Sequence, residues 1–303
     1  MKPRILPTAR LSFALATAIA ALLSVPTALA ANLYWDSNGT GTAGSGAHTG
    51  TWGTSIFWST DSTGLNVGSP VLTASTTSAD DLFFAAGTNG TTGTVTISGT
   101  QSGRSITFEE GAVTFSGGTI NLGSSTGVSG MFFANVSGYN ANSPIILNSA
   151  ATVIAIANRG NQTVTFGATG TITGSATSGI QTLAIGNSTG SLNLNGIISD
   201  GVAGGKVGVS VFGAAGIANG ANFYTLGAAN TYTGPTNIVY GGLVISNAST
   251  FANTSAISAS SLSRKVVNRP TKLIGRLRHS AKAWLIHCQP WRGATSKSLK
   301  PMR

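Results

Sequence analysis

The chain has 303 residues, a formal net charge of +10, 41 glycines and one cysteine. That length allows one large domain or two, and a single cysteine excludes a disulfide framework. The charge is segregated: Lys2, Arg4 and Arg10 open the chain, residues 263–303 hold eleven Lys and Arg with no acid, and residues 31–262 are net negative, so the basic balance says nothing about partners of the body and no nucleic acid is expected there.

Residues 1–30 read as a secretory signal helix. A basic start ends at Arg10, Leu11–Val25 is uncharged and rich in Ala and Leu, and Ala28-Leu29-Ala30 offers a small-x-small cleavage site before Ala31. An uncleaved membrane anchor is the alternative, but the apolar run is short for a span. No Cys follows that run and Arg4 and Arg10 are not adjacent, so neither lipid attachment nor a twin-arginine route is expected. The expected address is secreted or cell-surface, by the general secretory route.

Residues 31–80 form an aromatic entry segment. Trp35, Trp52 and Trp58 sit among Gly, Ser and Thr, beside Tyr34 and Phe57. Two readings compete. The rings could make a sugar-binding platform, or they could plug the first rung of a stacked-strand body whose open edge would otherwise pair with other chains. The cap is the stronger reading.

From residue 81 to about 262 short strands alternate with small-residue turns. Thr94–Ser98, Ser105–Phe108, Ala112–Phe115 and Thr119–Leu122 are followed by strands near 144–148, 152–157, 163–166, 171–173, 181–185, 191–194, 207–212 and 223–226. Alternate residues in most of them are apolar, which gives one buried face. No window shows a helical period, and Thr, Ser, Gly and Asn are poor helix-interior residues. Strands of this length and spacing predict about 20–30 residues per three-strand coil. The expected fold is all-β, a right-handed parallel β-helix or solenoid of about seven or eight coils, with a β-sandwich as the alternative.

The clearest unit is residues 226–246. Ala229–Gly234 ends in a glycine that can bend the chain, Thr236–Tyr240 is a strand, Gly241-Gly242 punctuates, and Leu243–Ser246 resumes. Asn230, Thr231, Tyr232, Thr233, Gly234, Thr236, Ile238, Gly242 and Leu243 make this stretch resemble the autotransporter-associated β-strand repeat of bacterial passenger proteins, with Pro235 where that family often has a second glycine. Asn32-Leu33-Tyr34-Trp35-Asp36 also looks like the usual start of that family's exported domains. The resemblance implies an extended, exported β-helix, a scaffold or adhesin at the cell surface with an unassigned ligand, and no catalytic residues.

Residues 263–303 break the pattern abruptly. Arg264, Lys265 and Arg269 come first, then His279, Trp284, His287, Cys288 and Trp291. A basic arm, an amphipathic helix over about Lys272–Ile286 and an out-of-frame, non-homologous or disordered tail are the three readings. The last is favoured, because the break interrupts a repeat. No run of amphipathic barrel strands follows Ser249, so outer-membrane association is expected only through a C-terminal part missing from this chain.

The search for chemistry yields no catalytic, cofactor-binding or metal-binding assignment. Asp80-Asp81 and Glu109-Glu110 are the acidic pairs; Asp80 and Glu109 stand about one coil apart and could stack, with solvated surface acids as the default reading. With Asp36 they are the carboxylates a carbohydrate-active β-helix enzyme would use, which is the alternative function. Arg104, Arg159 and Lys206 are few cations for an acidic polysaccharide. Residues 200–207 approach a phosphate loop but place Asp200 and Val207 at positions that need Gly and Ser/Thr. His48 has no partner at a motif spacing, and His279, His287 and Cys288 make a weak metal set. The expected partner is a surface or extracellular ligand, carbohydrate among the candidates.

Overall fold

A computed structural model describes residues 30–134, 139–187, 190–212, 224–247, 249–259 and 284–288. The expected signal helix lies outside these residues, as does the tail apart from Trp284–Cys288. No helix occurs among the described residues; every regular element is a strand. Val, Ile, Phe and Thr alternate with small polar residues, a pattern that fits a pleated, half-buried surface.

The strands fall into successive circuits. The entry segment holds β1 (Asn32–Trp35), β2 (Gly50–Trp52), β3 (Trp58–Ser59) and β4 (Leu72–Thr73). Then come β5 (Asp81–Phe84) with β6 (Gly93–Gly103), and β7 (Ser105–Phe108) with β8 (Val113–Leu122). Three circuits of three short strands follow: β9 (Gly130–Phe133), β10 (Tyr139–Ala141) and β11 (Ile145–Leu147); β12 (Val153–Asn158), β13 (Val164–Phe166) and β14 (Ile172–Gly174); β15 (Ile180–Asn187), β16 (Leu192–Leu194) and β17 (Ile198–Ser199). The last elements are β18 (Lys206–Phe212), β19 (Tyr224–Leu226), β20 (Thr236–Ile245), β21 (Ile257–Ala259) and β22 (Trp284–Cys288).

Three parallel ladders run through these circuits. The first joins β1, β5, β7, β9, β12, β15, β18, β20 and β21 in that order. The second joins β2, β6, β8, β10, β13, β16, β19 and the second half of β20. The third joins the second halves of β6 and β8 to β11, β14 and β17. In the central circuits the chain returns to a given ladder after about 25 residues, within the period expected of stacked repeat units. Antiparallel pairing is confined to the entry segment, β1–β3 and β3–β4, and to β22 against Gly241–Ile245 of β20. Trp284–Ile286 is therefore strand where the amphipathic-helix reading placed helix.

Register turns the sequence alternation into continuous buried columns. In the first ladder Leu33, Leu82, Ile106, Met131, Ile156, Ile185, Val211 and Ile238 stack in line, all buried. In the third, Ile120, Ile145, Ile172 and Ile198 do the same. A parallel ladder stacks like on like, so one apolar residue type repeated at the circuit period is enough to build a core.

Two paired glycines do not end strands as the sequence suggested. Gly117-Gly118 lies inside β8 and Gly241-Gly242 inside β20. At each point the strand leaves one ladder and enters another. Gly118 has φ of 21° and a Cβ there would stand 2.4 Å from the Gly99 carbonyl oxygen. The glycines serve as corners within a strand that keeps pairing.

Candidate functional site

The residues of the 226–246 repeat lock one circuit to the one before it. The Asn230 side-chain oxygen accepts the Ile198 N–H at 2.9 Å, and Asn230 is buried. The Thr231 and Tyr232 amides both donate to the Ile198 carbonyl, so residues 230–232 continue the third ladder without forming a strand. Tyr232 is buried and its hydroxyl meets Thr236 Oγ1 at 2.6 Å; burial pushes that phenol up to about 12. Gly234 donates to the Val207 carbonyl at 3.0 Å.

Asp200 completes this lock, a role the sequence reading missed. Its carboxylate accepts the Thr233 amide at 3.0 Å, the Thr233 hydroxyl at 2.6 Å and the Val207 amide at 2.7 Å. The segment that approached a phosphate loop thus turns an acceptor on its own chain, and its Gly205 and Lys206 amides donate to the Ala176 and Gly179 carbonyls. The available signal was spacing: Asp200 precedes Thr233 by 33 residues, about one circuit.

The three indoles of the entry segment offer no ligand face. Trp35, Trp52 and Trp58 are fully buried. Trp35 meets Trp58 edge-on at 5.0 Å, and Trp58 meets Phe84 at 5.1 Å. Tyr34 points to the other side of β1 and stacks on Phe83 at 4.8 Å, so these two outward rings spend a face on each other.

The carboxylates are dispersed, and Asp36, Asp80, Asp81 and Glu110 are engaged by the chain's own donors. Asp80 accepts the Ala31 amide at 3.1 Å and the Thr77 amide and hydroxyl at 2.7 and 2.8 Å, which ties the start of β1 to the turn before β5. Burial raises the Asp81 carboxyl, but the bonds from Arg104 and Ser105 and the Arg104 charge outweigh it, leaving the group below the usual carboxylate range. Asp36 is buried and held by the Asn38 amide and the Asn66 side chain; burial pushes it up, and the Asp61 charge adds to that. Glu109 is pushed up by burial and by neighbouring Glu110, and Glu110 accepts the Gly90 amide at 2.9 Å.

The stacking open to Asp80 and Glu109 by sequence distance does not occur. Arg104 N donates to the Asp80 carbonyl at one end of the β5–β7 pair, and Glu109 N donates to the Phe84 carbonyl at the other. At the rise of a strand their backbones are about 16 Å apart, beyond the roughly 5–9.5 Å between carboxylates that glycoside hydrolysis uses. Arg159 lies 4.3 Å over the Phe132 ring, and Lys206 opens β18 on the exposed side. His48 is sealed in the entry segment and neither ring nitrogen has a hydrogen-bond partner, so no triad forms around it. His287 and Cys288 lie in β22, while His279 falls outside the described residues. Among the described residues no group of three His, Cys, Asp or Glu could hold a metal ion.

No family model matches the chain, and no solved structure matches it. Among curated proteins it is similar to the adhesin BmaC autotransporter of Brucella suis biovar 1 (strain 1330), at 35% identity over 129 residues. The match spans 41% of this chain and 4% of that adhesin, so the chain corresponds to a small part of its relative.

Proposed function

We propose that this chain is an exported segment of an autotransporter-like passenger, folded as a closed right-handed β-helix, that serves as a cell-surface scaffold or adhesin and not as an enzyme. The observation that carries the reading is the set of three parallel ladders revisited in fixed order. A right-handed crossover is the strong rule for parallel strands joined this way, and a stack of such circuits makes an elongated body with long outward faces for contact. The similarity to an autotransporter adhesin supports the same reading, as does the leader-like sequence of residues 1–30. The engagement of Asp80, Asp81, Glu110 and Asp200 by the chain's own donors supports a structural role for the acids.

Expression of the full chain with its own leader in a Gram-negative host tests export and adhesion together. The expected product has Ala31 as its first residue, is recovered outside the inner membrane, and binds cultured cells or arrayed glycans saturably without cleaving polysaccharide. A cytoplasmic product that keeps Met1 would overturn export. Turnover of a polysaccharide, abolished by Asp36→Ala or Glu109→Ala, would replace the adhesin with the enzyme.

A further inference from the structure

The entry segment concentrates buried polar atoms that the fold leaves unbonded. Nine such side-chain atoms occur among the described residues. Trp35 Nε1, Asn38 Oδ1, Ser45 Oγ, both ring nitrogens of His48 and Trp58 Nε1 all belong to this one segment. Each unbonded buried donor or acceptor costs stability, so around these atoms the packing of rings, and not polar bonding, holds the entry segment closed.

His48 occupies the critical place in that seal. Its residue is fully buried, and its ring meets Phe84 edge-on at 5.9 Å. Phe84 is also the ring on which Trp35 and Trp58 pack, at 5.5 and 5.1 Å. The backbone around His48 is the seam between cap and body: its amide donates to the Thr91 carbonyl at 3.0 Å, and the Thr91 amide returns to the Gly46 carbonyl at 2.9 Å. Opposite it a Cβ on Gly93 would stand 2.2 Å from the His48 carbonyl oxygen, so the two backbones are in close contact.

A charged imidazolium has no acceptor in this position. The segments packed on His48 carry Glu110 and Asp36 nearby in the fold, but Glu110 bonds the Gly90 amide and Asp36 bonds Asn38 and Asn66. No charge offsets the loss of solvent. We propose that residues 31–80 form an acid-released plug, in which neutral His48 holds the seam at Thr91 shut and its protonation frees the cap from the β5–β6 rung. Release uncovers Phe84 and the strand edges of that rung, an exposed template for further pairing.

The sign follows from linkage. Burial lowers the His48 imidazole from 6.5 to about 4, so the open cap binds the proton and the closed cap does not. The seam is fully stable above pH 6.5, weakens as pH falls, and has lost this contribution below about pH 4. Within that window the closed-to-open ratio is expected to fall about tenfold per pH unit.

Hydrogen exchange on the full mature chain, corrected for the intrinsic pH dependence of exchange, tests this. Protection of the His48 and Thr91 amides should fall about tenfold per pH unit from 6.5 toward 4, while the Thr182 amide, bonded to the Thr152 carbonyl in the body, stays protected. His48→Gln should flatten the slope at the seam. A flat wild-type profile, or a slope that survives in His48→Gln, overturns the proposal. Should His48→Gln leave the seam open at pH 8, Glu110→Gln and Asp36→Asn decide: the slope must persist in both, and its loss in either overturns the assignment to His48.

Discussion

Phe108→Ala is expected to cost about 3–5 kcal/mol of stability, enough to unfold a marginally stable domain. Phe108 is fully buried and lies face to face between Phe84 and Phe133, at 5.3 and 4.7 Å with the rings within 7° and 6° of parallel. Phe115 and Tyr139 close the column from the side at 5.6 and 4.7 Å. Truncation opens a ring-sized cavity and breaks two stacked pairs at once, each worth about 0.5–1.5 kcal/mol beyond burial. The neighbours belong to fixed register positions of a parallel ladder, so the void cannot collapse without shifting whole strands. Guanidinium unfolding gives the measurement, with Phe83→Ala as the internal comparison. Phe83 faces outward from the adjacent position, and its loss should cost much less. Equal costs would mean that the Phe84–Phe108–Phe133 column is not the core.

Gly234→Ala is expected to destabilise by about 3 kcal/mol or more. A Cβ there would lie 2.2 Å from the Val207 carbonyl oxygen and 2.6 Å from its carbon. The obstacle is backbone from the preceding circuit, which is fixed by the Asp200 bonds to Val207 and Thr233. Gly99→Ala is the contrast: nothing lies within 4 Å of its Cβ, and only a φ of +62° opposes the change, which corresponds to about 1–2 kcal/mol. The same unfolding experiment separates the two. Similar, small losses at both sites would show that the circuits at Val207 and Gly234 do not touch.

These two residues mark where sequence reading succeeds and where it stops. Phe108 was legible, because Ser105–Phe108 alternates cleanly and β7 has those bounds. Its partners Phe84 and Phe133 are one circuit away on either side, and a repeating period places them in line. Gly234 reads from the sequence only as a glycine that can bend the chain. The need for glycine arises from contact with the Val207 backbone, a segment far away in sequence. Gly241-Gly242 reads locally as a break, whereas β20 runs through it because each half finds a different partner ladder.

The candidate site shows the same limit. Asp200 reads locally as a turn acid before Gly201, and only the register with Thr233 reveals its three bonds. Asp80 and Glu109 looked stackable by sequence distance, but one precedes its strand and the other follows, and strand ends are not set by residue count alone. The indoles read correctly as large and apolar, and the register of β1, β2 and β3 turns all three inward. His48 reads as an isolated loop histidine, since nothing local announces that Thr91 and Gly93 will close over it.

Disulfide trapping across the second ladder tests the parallel stack most directly. In a Cys288→Ser background, Thr114→Cys with Asn140→Cys and Thr165→Cys with Asn193→Cys join residues that are register partners on adjacent parallel strands. Adjacent strands are about 4.8 Å apart, within the Cα separation a disulfide tolerates, so both pairs should oxidise within a single chain. Thr114→Cys with Thr165→Cys spans two rungs, about 9.6 Å, and should not. Failure of both adjacent pairs, or efficient trapping of the two-rung pair, would contradict the stacked parallel architecture on which the proposed function rests.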